Sequence, residues 1–137
     1  MKIKIETTVK ADLADVWSAW ITPQDINQWN FASDDWHNPS STNDLRVGGH
    51  FSYRMEAKDG SVGFDFEGTY TRIVEKSLIE YLLGDDRSVS IEFIPVDNGV
   101  KVVETFDTED ENTAERQKHG WQNILNNFKR HVEAKFL

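Results

Sequence analysis

The chain has 137 residues, 28% of them charged, and a formal net charge of −9. That length suits one domain able to bury a core without metal or disulfide staples, and the sequence contains no cysteine for thiolate chemistry, disulfides or Cys-ligated zinc. The acidity argues against nucleic acid and anionic membrane surfaces, which select clustered Lys and Arg.

Residues 2–9 alternate, with Ile3, Ile5, Thr7 and Val9 on one face and Lys2, Lys4, Glu6 and Thr8 on the other, the pattern of a half-buried strand. This alternation also differs from a signal peptide's continuous apolar block. Asp12 is placed to cap a helix whose apolar stripe holds Leu13, Val16, Trp17 and Trp20. Thr22-Pro23 opens a second short helix carrying Ile26 and Trp29, with Thr as cap and Pro at the first helical position. Asp34 to Asp44 turns to Asp, Asn, Ser and Pro and reads mostly as loop, with room for a short strand at Trp36-His37.

A strand follows over His50–Ala57, where Phe51, Tyr53 and Met55 alternate with polar residues. Asp59-Gly60 marks a hairpin turn. The return strand holds Phe64, Phe66, Gly68 and Tyr70, the glycine signalling a bulge or a close backbone approach. Leu78–Leu83, then Val89, Ile91 and Phe93, then Val100–Phe106 give three more strands, the last two joined by the tight-turn sequence Asp97-Asn98-Gly99. An acidic loop over 107–112 precedes a helix from about Thr113 to Ala134. Its single apolar stripe (Ala114, Trp121, Ile124, Leu125, Phe128, Val132) requires a sheet to pack against. The order of strand, two helices, about six strands and a long helix predicts an α+β domain over residues 1–137 with an antiparallel sheet. Gly120 inside that helix costs about 1 kcal/mol relative to Ala, and close packing to the sheet is the reading we favour for it.

Four blocks then carry a resemblance. Ala14-Asp15-Val16-Trp17-Ser18-Ala19-Trp20-Ile21-Thr22-Pro23 followed by Trp29, DLRVGGHFSYRM at 44–55, FEGTYTRIVEKSLIEY at 66–81 and HGWQNILNNFKRHVE at 119–133 occur in order along nearly the whole chain. Together they resemble the branch of the SRPBCC/START-like (Bet v 1-like) superfamily named for the activator of heat-shock-protein-90 ATPase. The resemblance implies a helix-grip fold, a curved antiparallel sheet wrapped around the long C-terminal helix. It also implies an internal cavity of the kind relatives use for lipids, hormones and polyketides. It carries no fixed catalytic set, because its motif residues are mostly architectural.

The expected function is binding of a small hydrophobic or amphipathic molecule, with a chaperone-partner or stress-response role and a pocket enzyme of cyclase or hydrolase type as alternatives. No cofactor is implied, and the expected setting is a reducing cytoplasm, as monomer or dimer. The four histidines lack metal-binding spacing, so no metal site is read from them. Gly48-Gly49 is followed by a strand and reads as a structural turn, not a phosphate loop. The candidate cavity residues are Trp29, Phe31, Trp36, Phe51, Tyr53, Phe64, Phe66, Tyr70, Phe93, Glu104, Trp121 and Leu125. If Val100, Val102, Glu104 and Phe106 share the inward face, Glu104 is a buried carboxyl. It then lines the pocket as a polar group or base; the alternatives are a bulge that turns it outward or an ion pair with Arg54 or Arg72. For catalysis the candidates are Glu104, Tyr53, Tyr70 and His119, the last either near the pocket mouth or simply solvated.

Overall fold

The computed structural model describes residues 1–136. Its elements in chain order are β1 (Lys2–Val9), α1 (Leu13–Ile21), α2 (Pro23–Trp29), β2 (Trp36–Asn43), β3 (His50–Ala57), β4 (Gly63–Val74), β5 (Leu78–Leu83), β6 (Ser88–Val96), β7 (Gly99–Asp107) and α3 (Ala114–Phe136). The strands form one seven-stranded sheet in the order β1-β7-β6-β5-β4-β3-β2, antiparallel at every pairing. Consecutive strands pair as hairpins except at one place: β1 sits beside β7, so the first strand is bound to the last.

The curved sheet wraps α3 in the helix-grip arrangement expected from the sequence. α3 presents Leu125, Phe128 and Val132 inward, all buried, and packs along β1 and the two short helices. The short helices close one end. There Trp20, Trp29 and Phe128 meet edge to face or tilted, with ring centroids 4.8–5.0 Å apart, a favoured geometry for aromatic pairs. The Trp29 indole N–H donates to the Ala19 carbonyl at 3.0 Å, fixing that ring.

Three sequence expectations change. The stretch read as mostly loop is a full edge strand, β2, with a register shift between His37 and Ser40. Its composition hides it: Pro39 is tolerated because this strand is at the sheet edge and bulged, and Asn and Ser side chains do the work of apolar ones. Asn38 donates to the carbonyls of Ser40 and Arg54 at 2.9 Å and accepts from Asn30 at 3.2 Å. The side chains of Asp12 and Thr22 make no capping hydrogen bond, although both residues occupy the cap positions. Around Gly120 no atom lies within 4 Å of where a Cβ would stand, so close packing does not explain that glycine. Gly68 does mark a close approach: a Cβ there would lie 2.7 Å from the Leu82 carbonyl oxygen and 2.9 Å from the Phe51 ring.

Candidate functional site

The hairpin register assembles the site row by row. On the inward face Ile5, Glu104, Ile91 and Ile79 stand in line across β1, β7, β6 and β5. The next row holds Ile3, Phe106, Val89, Tyr81 and Tyr70. Glu104 is thus a single carboxyl set into a row of isoleucines.

Between this face and α3 lies a cavity of about 340 Å³, a size at the small end of ligand pockets. Trp29, Tyr53, Phe66, Tyr70, Ile79, Tyr81, Trp121 and Ile124 supply most of its apolar wall, and Glu104 lies among them. Asn30 and Met55 border it near α2, while Arg87, Glu109, Asn112 and Gln117 bring polar groups from the β5–β6 turn and the approach to α3. Trp121 is held by stacking on Phe106, with centroids 4.1 Å apart and planes 7° from parallel. Gln117 is buried; its carbonyl oxygen accepts from the Glu109 backbone N–H at 2.8 Å and its amide donates to the Asn112 carbonyl at 2.8 Å. That side chain ties the acidic loop to the first turns of α3.

Seven of the twelve sequence candidates line this cavity: Trp29, Tyr53, Phe64, Phe66, Tyr70, Glu104 and Trp121. The other five lie elsewhere, for identifiable reasons. Phe51, 1% exposed, packs behind the tyrosines with its ring 4.7 Å from Tyr81 and 4.8 Å from Tyr53. Phe93 is engaged edge-on by Trp17 and Trp20. Leu125 is fully buried in the main hydrophobic core and does not line the cavity. Trp36 packs against Phe64 on the outer strands. Phe31 is half-buried, and its carbonyl oxygen accepts from Asn127 of α3 at 2.6 Å. His119 is exposed and off the cavity, leaving it without a histidine.

Sequence reasoning missed Tyr81, Ile79 and Gln117. Alternation in Leu78–Leu83 places Ile79, Tyr81 and Leu83 on one face, and Gln117 stands one turn before Trp121, so both signals were present.

Glu104 is 6% exposed. Among the described residues its side chain has no hydrogen bond and no ion pair, and the arginines considered as partners are engaged elsewhere. Arg54 pairs with Glu56 at 2.9 Å and Asp65 at 3.5 Å, and Arg72 with Glu80 at 3.9 Å. Burial therefore pushes the Glu104 carboxyl up to about 8. Burial also pushes Tyr70 up to about 12, and drives Tyr53 and Tyr81 well above the ordinary phenol range, with the Glu104 charge adding to both. The Tyr70 hydroxyl donates to Asn43 Oδ1 at 2.5 Å, and Asn43 Nδ2 donates to the Ile21 carbonyl, linking the cavity wall to α1. No group of three or more His, Asp or Glu side chains is placed to hold a metal among the described residues.

A family model described as Activator of Hsp90 ATPase homolog 1-like protein matches residues 10–133. The chain belongs to this family. Its sequence and fold agree on that point. The solution structure of an AHSA1-like protein from Aeromonas hydrophila is 47% identical, covering 98% of this chain and 94% of that one, with a TM-score of 0.93. A solution structure from Cytophaga hutchinsonii is 46% identical over 98% of this chain and 93% of its own, at TM-score 0.84. A crystal structure from Nitrosomonas europaea reaches the same TM-score of 0.84 at 17% identity, covering 98% and 96% of the two chains, and shows the fold alone. No curated protein is significantly similar to the AHSA1-like chain. No helix among the described residues is long and apolar enough to cross a membrane.

Proposed function

We propose that this AHSA1-like protein is a binding module that encloses a small hydrophobic or amphipathic molecule between its sheet and α3. The observation that carries the reading is the cavity itself. It is walled by aromatic and aliphatic side chains, with a few polar groups at defined places, the composition typical of small-molecule sites. A filled core would leave no such space, because protein interiors pack with few voids larger than a water molecule. An intracellular setting belongs to the same proposal, since a chain without cysteine suits a reducing compartment.

The test is native mass spectrometry of the purified protein, followed by NMR titration with a panel of apolar and amphipathic compounds. A retained mass released by organic solvent, or shift changes centred on Tyr53, Tyr81 and Trp121, supports the proposal. A panel that leaves those resonances unmoved refutes it.

The family description favours a second reading, that of a chaperone partner. Under it the purified protein stimulates the ATPase of a chaperone, and an unchanged rate at saturating protein removes the idea.

A further inference from the structure

Within the cavity one charge-bearing side chain is left over. The Tyr70 hydroxyl is engaged by Asn43 and the Gln117 amide by its own loop, and Arg87 is paired with Asp85 at 2.7 Å. Only Glu104 combines a charge-bearing group, deep burial and no protein partner among the described residues. A buried carboxyl without a partner is costly, and proteins keep such groups mostly where a ligand completes them.

The neighbours of Glu104 indicate what would complete it. Its sheet neighbours in the row, Ile5 and Ile91, offer no polar side chain. From β3, β4 and β5 the titratable groups lining the cavity are Tyr53, Tyr70 and Tyr81; from α3 the lining residues are Gln117, Trp121 and Ile124, none of which titrates. Arg87 and Glu109 complete the charged lining. The centre of the site is thus one acidic group surrounded by aromatic rings, whose negative faces attract cations. The chain's net charge of −9 adds long-range attraction for a cation and repulsion for an anion.

We propose that Glu104 anchors a basic amine: the cavity takes an amphipathic monoamine whose ammonium meets the Glu104 carboxylate and whose apolar body lies among Tyr53, Phe66, Tyr81 and Trp121. This rests on the ligand-binding reading above and adds the head-group chemistry to it. Above about pH 8, where Glu104 is ionised, fatty acids and other carboxylates are then the poorest ligands, since their head would face a like charge. Amine binding also requires Glu104 to be ionised, so below about pH 8 it releases a proton from the protein.

The experiment uses three probes with one body and different heads, phenylbutylamine, phenylbutanol and phenylbutyrate, measured by calorimetry against wild type and Glu104→Gln. In wild type at about pH 9, where Glu104 is ionised, the amine is expected to bind roughly tenfold or more tighter than the alcohol, as a charge-assisted hydrogen bond warrants, with the butyrate weakest. Glu104→Gln is expected to erase the preference for amine over alcohol. A second measurement needs no variant: the wild-type affinity for the amine rises between about pH 6 and about pH 8, while that for the alcohol stays level. An alcohol bound as tightly as the amine, or an amine preference that survives Glu104→Gln, overturns the proposal and leaves the cavity reading standing. Failure of all three probes to bind overturns both.

Discussion

Glu104 shows how one residue sets a property of the whole protein. With its carboxyl pushed up to about 8, the folded state holds a proton that the unfolded chain has already lost above the ordinary carboxylate range. The folded state binds more protons in that window, so stability falls as pH rises from about 4.5 to about 8. The full cost is at most about 5 kcal/mol, reached above the upper value. Glu104→Gln keeps the shape and removes the titration. The variant is expected to match wild type near pH 5 and to exceed it in urea midpoint by a growing margin toward pH 9. Parallel midpoints across that range would show that the carboxyl is solvated.

Asp25 presents the opposite case. It is buried in α2 and accepts from His131 Nε2 at 2.8 Å and Lys135 Nζ at 2.7 Å, both from the last turns of α3. Burial pushes its carboxyl up, but the hydrogen bonds from Lys135 and His131 outweigh that, and the group ends below its usual value of 3.8. A depressed carboxyl contributes stability above the unfolded value and loses it as pH falls through the folded one. Lys135 is half exposed, so the link is screened; Asp25→Asn is expected to cost about 1–2 kcal/mol at neutral pH. The deficit should shrink as pH falls through the lowered folded-state value, below the usual 3.8, and a pH series of thermal melts reads it directly.

Elements differ in how plainly the sequence announces them. Strands β3, β5 and β6 alternate and stop at glycine-bearing turns, and β7 begins at one, so period and punctuation agree. The strand β2 does not, because its packing is made of amide and hydroxyl hydrogen bonds that leave no apolar period. The cavity was legible only in part for a related reason. Alternation tells which side of a sheet a side chain takes, not whether a second ring stands in front of it. Phe51 and Tyr53 belong to the same strand, yet only Tyr53 reaches the open space. Two glycines test this view of the elements. Gly68→Ala would drive a methyl group into the Leu82 carbonyl and the Phe51 ring, and is expected to destabilise by about 2 kcal/mol. Gly120→Ala meets nothing within 4 Å in an α-helical interior, and is expected to stabilise by up to about 1 kcal/mol. Chemical denaturation of both variants decides; two losses of equal size would mean that Gly120 serves a role other than packing.

At the scale of the whole molecule, the cavity between sheet and α3 exists only in the folded state. Any compound that occupies it at a hundredfold excess over its Kd is expected to raise the unfolding free energy by about 2.7 kcal/mol, visible as a higher Tm. Compounds that bind the surface unspecifically would also associate with the unfolded chain and give little or no rise.

The pairing of β1 with β7 has a consequence in time. Lys2 lies opposite Asp107, so the first strand's partner is made 105 residues after it. At synthesis rates of about 5–20 residues per second, β1 waits on the order of 5–20 s without its neighbour. Its Ile3 and Ile5 face and its unpaired edge are open during that wait, as are any hairpins already formed on the far side of the sheet. Sheet closure is therefore a late, non-local step, and refolding in vitro should be paced by it, slower than a helical protein of the same length. A chain stalled before residue 99 would display two open edges where the finished sheet has β7, and would be the form most prone to aggregate.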